Sequence, residues 1–331
     1  MRVGAALAGF DRWVGGHMAV VSPACVAAGV LLAPWIGKWH GVVPWVFALM
    51  TFQSALGCGW RDVGNAFRRP GPVLAVLAAL HVAMPALALG VGWALFRGEP
   101  EIVAGIVLEF AIPTGIISLV WIGIAGGDAA LGLSVVLLDT LLAPVVVPAV
   151  LVAALRAVGA EGSVRIDGAM AWALLRGLAF MVALPAAAAV GVNQATGGRV
   201  KETWMKWLSP WTKLGFIVVI TLNATGLRAY AERPSWLLAG VVATMGVLAV
   251  VGLLAGVAAA LSVRAGPEER ATMILDTGLR NISAGATIAA AYFPGQAVLL
   301  PVMAATLFQQ VTTAFVGLPL IRRVKRMRVR R

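Results

Sequence analysis

Long apolar stretches, separated by short polar ones, run through almost the whole chain. Because about 20 apolar residues cross a bilayer as one helix, this pattern predicts ten membrane spans, at residues 17–35, 41–58, 71–96, 102–126, 130–155, 168–192, 209–226, 235–263, 271–293 and 296–321. Only Gly126, Gly127 and Asp128 separate spans four and five, and only Pro294 and Gly295 separate spans nine and ten. We therefore expect an all-α membrane protein with tight hairpins at two matching places.

A polar linker at residues 157–167 divides the ten spans into two sets of five. The first unit is 1–156, the second is 168–321, and a basic tail follows at 322–331. With an odd number of spans in each half, the second half enters the bilayer from the opposite side, so a duplicated five-span unit becomes an inverted repeat. The dipeptide Pro-Trp, which opens both span two and span seven, is a further trace of duplication.

Two spans are interrupted at matching positions. Residues 113–115 (Pro-Thr-Gly) interrupt span four, and residues 276–281 (Asp-Thr-Gly-Leu-Arg-Asn) interrupt span nine. Proline lacks a donor and glycine tolerates unusual dihedral angles, so helix breaks are expected there. A break leaves free N–H and C=O groups near the bilayer midplane, which favour an anion and a cation respectively. This pattern is typical of a transporter's binding site, with a merely kinked helix as the alternative.

Composition and charge support the same class. The chain is 60% hydrophobic and 12% charged, with a mean hydropathy of +0.92, which is typical of a multi-pass membrane protein. Seven of its 26 Lys and Arg residues lie in the tail, which favours attraction to anionic lipid rather than nucleic acid. Outside the spans, seventeen Lys and Arg lie on the side of both termini and six on the other, which predicts cytoplasmic termini in the cell (inner) membrane. Cys25 and Cys58 suggest neither a disulfide framework nor a metal cluster.

The residues around the two breaks resemble motifs of the bile acid:sodium symporter family. The run 113–144 is similar to its Pro-Gly-Gly-x-x-Ser-Asn, Gly-Asp-x-x-Leu-Ser and Ser-Thr-Leu-Leu-Ala-Pro motifs, 276–281 to its Glu-x-Gly-Met-Gln-Asn, and 81–85 to its Gln-x-x-Met-Pro. The resemblance implies a panel domain of spans 1, 2, 6 and 7 and a core domain of spans 3–5 and 8–10. It also implies that helices 4 and 9 cross in the core, that an organic anion binds between the domains, and that rigid domain movement gives alternating access.

The resemblance further implies two sodium sites, from which this sequence departs. Oxygen ligands of the family fall on Leu119, Gly132 and Val136, and two of its glutamines fall on His81 and Arg280, which as cations cannot coordinate another cation. The full set of equivalent positions is Ser118, Leu119, Gly132, Val136, His81, Asp276, Thr277, Leu279 and Arg280.

Arg280 has two interpretations. In the first, its guanidinium replaces a sodium ion in the second site, with Asp276 as the first expected partner and Asp139 and Glu109 as further ones. Alternatively, it points into the cavity and contacts the substrate's anionic group directly. Both interpretations predict weak or absent sodium dependence, and no cofactor is expected.

Other polar residues are candidates for contact with the substrate. They are Thr114, Gly115, Asn281, Ser283, Thr221 and Asn223. Hydrogen bonding between helices is an equally good interpretation of the two in span seven, Thr221 and Asn223. Arg176 in span six either contacts the anion or extends to the interface.

The predicted function is secondary transport of organic anions, such as bile acids or small carboxylates, without conventional two-sodium coupling. Alternatives are a conventional sodium symporter, a proton-coupled carrier using His81 and Asp139, and a non-transporting membrane sensor. A metalloid exporter is disfavoured because Ile112 stands where such exporters have a thiol, and no catalytic motif indicates an enzyme. The expected partners are a small organic anion and the lipid bilayer, with a monomer as the simplest assembly.

Overall fold

A computed structural model describes residues 2–59, 61, 64, 68, 70–157, 168–232, 235–293 and 297–326. The linker at 158–167, the second hairpin at 294–296 and the end of the basic tail at 327–331 lie outside the described residues. The helices are α1 Arg2–Gly16, α2 Met18–Ile36, α3 Val43–Ala55, α4 Pro70–Leu95, α5 Pro100–Ala111, α6 Ile117–Ala125, α7 Ala129–Ala157, α8 Gly168–Ala195, α9 Arg199–Ala224, α10 Arg228–Ala231, α11 Trp236–Ser262, α12 Pro267–Gly278, α13 Ile282–Tyr292 and α14 Leu299–Arg326.

In the described ranges, seven helical runs are long and apolar enough to cross a membrane. The protein is therefore an all-helical, multi-pass membrane protein. The first two predicted spans form one such run, Val20–Ala55, with a 3-10 turn at Gly37–Val42 in its middle. Predicted spans four and nine do not count among the seven, because each is divided into two short helices.

The 3-10 turn reverses the chain, because α2 and α3 both lie along α9. Gly15, just before α2, lies beside Lys213 of α9, and Gln53 near the end of α3 accepts a hydrogen bond from Thr212. The start of the run and its end therefore lie at the same level of α9. The helix α1 was not predicted; it packs on α9 as well, through Asp11.

Three helices contain a π turn, at Ala79–Ala83 in α4, Ala179–Ala183 in α8 and Thr313–Gly317 in α14. Each π turn is followed by Met-Pro or Leu-Pro, so that the proline is the second residue after the turn. A proline has no N–H and its ring collides with the preceding turn, so a widened turn accommodates it without breaking the helix. The carbonyl that this proline would have bonded is left free.

The two predicted breaks are present. Helix α5 ends at Ala111 because Ile112, which precedes Pro113, takes an extended conformation with ψ of 152°. Helix α12 ends at Gly278, and α13 begins at Ile282.

The packing contacts define two groups of helices that also touch each other. In one group, α9 packs on α2, α3 and α8. In the other group, α11 packs on α12 and α14, and α5 packs on α4, α7 and α14. Contacts between the groups include those of α8 with α7, of α13 with α9 and of α14 with α2.

Candidate transport site

The two helix breaks meet and join through their backbones. Thr114 and Arg280 form an isolated antiparallel β-bridge. The Gly115 N–H donates to the Leu279 carbonyl at 3.0 Å, and the Asn281 N–H donates to the Pro113 carbonyl at 2.9 Å. A β-carbon at residue 115 would lie 2.9 Å from the Arg280 carbonyl oxygen, so the crossing requires glycine at this point. The breaks are thus held in one fixed arrangement.

The Arg280 side chain is buried at this crossing, with 2% of its surface exposed. Its Nη1 donates to the carbonyl oxygens of Ile112 and Leu80, at 3.3 and 3.4 Å. Its guanidinium carbon lies 5.7 Å from the centre of the Phe110 ring, and its Nε and Nη2 have no hydrogen-bond partner among the residues that the structure describes. The guanidinium therefore lies between α4 and α5, where it contacts backbone oxygens.

Both of those carbonyls lack helical partners because of a proline. In the π register of α4, the residue that would bond the Leu80 carbonyl is Pro85, which has no N–H. The Ile112 carbonyl precedes Pro113 at the end of α5, where the helix stops. A buried carbonyl without a donor is costly, and donation from the Arg280 guanidinium satisfies both of these carbonyls.

Asp139 on α7 links the first break to α4. One carboxylate oxygen lies 2.5 Å from His81 Nε2, and the other accepts the Thr114 N–H at 2.7 Å. Asp139 is fully buried, and the buried His81 Nδ1 has no hydrogen-bond partner among the described residues. The carboxylate therefore stabilises the non-helical backbone of the first break by accepting the Thr114 N–H.

Asp276 is bonded to Ser118 rather than to Arg280. The Ser118 hydroxyl donates to its Oδ1 at 2.7 Å, while its Oδ2 and the Thr277 hydroxyl are buried and have no hydrogen-bond partner in the described part of the chain. Among the described residues, no carboxylate oxygen lies within ion-pair distance of the Arg280 guanidinium. The expectation that Asp276 comes first among its partners is therefore not met, since Arg280 extends toward α4 and α5.

Leu119, Gly132 and Val136 stand at the positions equivalent to the missing ligands of the first ion site. A β-carbon at Gly132 would lie 2.6 Å from the Ile122 side chain and 3.3 Å from that of Leu119. Val136 is buried. These side chains offer no oxygen to a cation in place of the missing ligands.

A cavity of about 430 Å³ opens beside the crossing, between the two helix groups. Gly115 and Asn281 border it on the side of the breaks, and Lys213 on the side of α9. Among the described lining residues, the charged ones are Lys213 and Arg280, and no carboxyl group is included. The remaining wall is mostly apolar, as expected for a site that takes an organic molecule.

Known proteins share this sequence pattern. A family model described as the sodium bile acid symporter family matches residues 44–226. The uncharacterized protein YbaS of Bacillus subtilis (strain 168) is 34% identical over 300 residues, which cover 91% of this chain and 95% of that protein. This chain belongs to the sodium bile acid symporter family. The uncharacterized sodium-dependent transporter YocS of the same organism is 31% identical over 117 residues, 35% of each chain. Membership of the symporter family makes the protein a transporter and not an enzyme.

The residues expected to contact the substrate divide into two sets. Gly115, Asn281 and Ser283 line the cavity of this symporter-family chain. The cavity lining does not include the other three, Thr114, Thr221 and Asn223. The Thr114 hydroxyl donates to Leu279, Thr221 lies where α9 packs on Gly29, and Asn223 donates to Thr287. Arg176 is exposed, with its guanidinium 5.8 Å from the Trp172 ring.

Two polar residues of the site were missed in the sequence. Gln309 on α14 accepts the Arg280 N–H at 3.1 Å and donates to the Arg280 carbonyl at 2.9 Å, which fixes the second break. Lys213 lies inside the predicted seventh span. A charged or amide side chain within an apolar run was the signal that could have identified both, since such groups inside a membrane are costly.

Proposed function

We propose that this protein is a secondary carrier of organic anions in which Arg280 takes the place of a co-transported cation. The observation that carries the proposal is the position of the guanidinium. It donates to carbonyl oxygens of two helices at a break, and carbonyl oxygens at such breaks are the ligands that a transported cation would otherwise use. A charge that belongs to the chain stabilises the crossing without requiring an ion.

The charge of the cavity supports an anionic substrate. Its described lining carries Lys213 and Arg280 and no carboxyl group. Its mostly apolar wall suits the body of an organic acid. Bile acids and smaller carboxylates share this chemistry.

The packing also supports the proposed architecture. The run Val20–Ala55 folds back at its 3-10 turn and would cross the bilayer twice, and the divided spans four and nine would add two crossings to the other six runs, consistent with the ten spans that we propose. The group of α2, α3, α8 and α9 would form the panel domain, and α4–α7 with α11–α14 the core domain. We propose that the two five-span halves are inverted repeats, and that both termini are cytoplasmic in the inner membrane.

Transport by purified protein in liposomes tests the proposal. Taurocholate and a small carboxylate, pantoate, are measured with sodium or with choline outside, for the wild type and for Arg280→Gln. For the wild type we expect uptake that changes by less than about twofold with sodium, since the charge is already in place. For Arg280→Gln we expect a loss of about tenfold to a hundredfold, because the two carbonyls lose a charged donor worth roughly 1.5–3 kcal/mol.

Arg228→Gln is the matched control. Arg228 is a surface residue paired with Glu232 at 2.7 Å on the same helix, so its loss should leave uptake unchanged. Steep sodium dependence of the wild type would contradict the tethered charge. Recovery of Arg280→Gln by added sodium would support it directly.

A proton-coupled carrier is the second candidate, favoured by the contact between His81 and Asp139. The crossing buries three carboxyl groups, those of Glu109, Asp139 and Asp276, with one guanidinium. Three negative charges and one positive charge leave two unbalanced, so the cluster is neutral only with two bound protons. An imposed pH gradient in the same liposomes separates the candidates, because it accelerates uptake only if protons move with the substrate.

A further inference from the structure

Lys213 is a charged residue of α9 whose side chain borders the cavity with 27% of its surface exposed. A lysine within an apolar helix needs a partner or a polar space. The structure gives Lys213 both, because one side of it faces the cavity and the other faces α1.

The partner of Lys213 is Asp11, on the helix before the first span. The Lys213 ammonium donates to the Asp11 carbonyl oxygen at 2.6 Å and lies 2.9 Å from the Asp11 carboxylate. The Ser209 hydroxyl donates to the same carboxylate oxygen at 2.6 Å. A β-carbon at Gly15 would lie 2.8 Å from the lysine nitrogen, so the glycine lets the ammonium lie directly against α1.

Lys213 differs from Arg280, the other cation of the cavity, because the partner of Lys213 can be exchanged for another anion. The Arg280 guanidinium is buried and donates to backbone carbonyls. The Asn281 side chain caps α13 by accepting from Ala284 at 3.2 Å. Lys213 and Asp11 keep 27% and 24% of their side-chain surfaces exposed, whereas Arg280 is 2% exposed. An incoming carboxylate can therefore reach Lys213, and it would replace the Asp11 carboxylate with a group of the same charge.

We propose that Lys213 binds the anionic group of the substrate, and that Asp11 competes with the substrate for that position. The proposal rests on the proposed transport of organic anions. The substrate's body would lie along the apolar wall toward Gly115, and its charge would meet Lys213. Binding would then release the Asp11 carboxylate of α1. Occupancy of the cavity would therefore be coupled to movement of α1.

A carboxylate and its neutral amide test this directly. Binding of cholate and cholamide to purified protein is measured by calorimetry, below the concentrations at which either forms micelles. The wild type should bind cholate about tenfold more tightly than the amide. Lys213→Met should lose this preference, because the attracting charge is gone while the Asp11 carboxylate remains. Lys213→Arg should retain the preference. Asp11→Asn should bind cholate severalfold more tightly, since the competing carboxylate is gone.

Other outcomes overturn the proposal in distinct ways. If Lys213→Met keeps the preference for cholate while the wild type transports it, the site is elsewhere and the proposed function stands. If Lys213→Met and Asp11→Asn weaken both probes equally, the pair has only a structural role. If the wild type neither binds nor transports organic anions, the proposed function fails together with this proposal. Arg228→Met, which changes a cation away from the cavity, should behave as the wild type.

Discussion

At the scale of single residues, prolines determine where the positive charge lies. Pro85 and Pro113 each leave a carbonyl without a helical donor, and Arg280 donates to both. The sequence allowed prediction of the break at Pro113, because proline chemistry is local. It did not allow prediction of the Leu80 contact, because that contact depends on a π turn and on a helix 200 residues away.

The proline of α4 can be tested against an equivalent one. Pro85 and Pro185 both follow a π turn, but only the carbonyl freed by Pro85 accepts from Arg280. Pro85→Ala restores an N–H that competes for that carbonyl. We expect transport to fall about tenfold in Pro85→Ala, roughly the value of one hydrogen bond to a charged group.

Pro185→Ala, measured in the same liposomes, should keep more than about half of the wild-type rate, since no charged group depends on its turn. Equal losses in both variants would mean that the proline acts only on helix shape. Sodium is omitted from both measurements, so that sodium coupling cannot affect the comparison of the two variants.

At the scale of elements, the presence of helices and the positions of their breaks could be predicted from the sequence. How the elements pack on one another could not. Hydrophobic runs and the chemistry of proline and glycine placed the breaks within a few residues of those observed. The π turns were missed because they do not change the hydrophobic pattern. The N-terminal helix was missed because its role depends on packing against α9.

Close packing of α11 on α12 gives a prediction about stability. A β-carbon at Gly256 would lie 2.5 Å from the Ile274 Cα, whereas one at Gly90 would have nothing within 4 Å. Gly256→Val should therefore destabilise the protein by about 1–3 kcal/mol through overpacking. Thermal unfolding in detergent measures this change.

Gly90→Val is the matched control, because it adds the same side chain at an exposed position within helix α4. It should unfold within a few degrees of the wild type. If the two variants unfold at the same temperature, α11 and α12 do not pack as closely as the structure shows.

At the scale of the whole molecule, the proposed alternating access has the two helix groups move against each other. One contact between them joins Asn223 of α9 to Thr287 of α13, with 3.4 Å between Nδ2 and Oγ1. The Asn223 Oδ1 is buried and has no hydrogen-bond partner among the described residues, so the contact is poorly satisfied and is suited to breaking.

Cross-linking across this contact tests the movement. In a background in which the two buried cysteines, Cys25 and Cys58, are replaced by alanine, Asn223→Cys and Thr287→Cys are combined. Oxidation should stop uptake, and a reductant should restore it, since a disulfide holds the two groups together. The oxidant should not change uptake by either single variant. Undiminished uptake by the cross-linked double variant would exclude movement at this interface.

The bridge between Thr114 and Arg280 also bears on how the protein is made. Residues 279–281, which pair with the backbone of the first break, are synthesised long after that break enters the bilayer. The nascent first half therefore holds unpaired backbone groups in lipid until the second half is inserted. A polypeptide that stops at the linker can never complete the bridge. Prematurely terminated copies should therefore be recognised as defective by membrane proteases, while finished copies escape degradation.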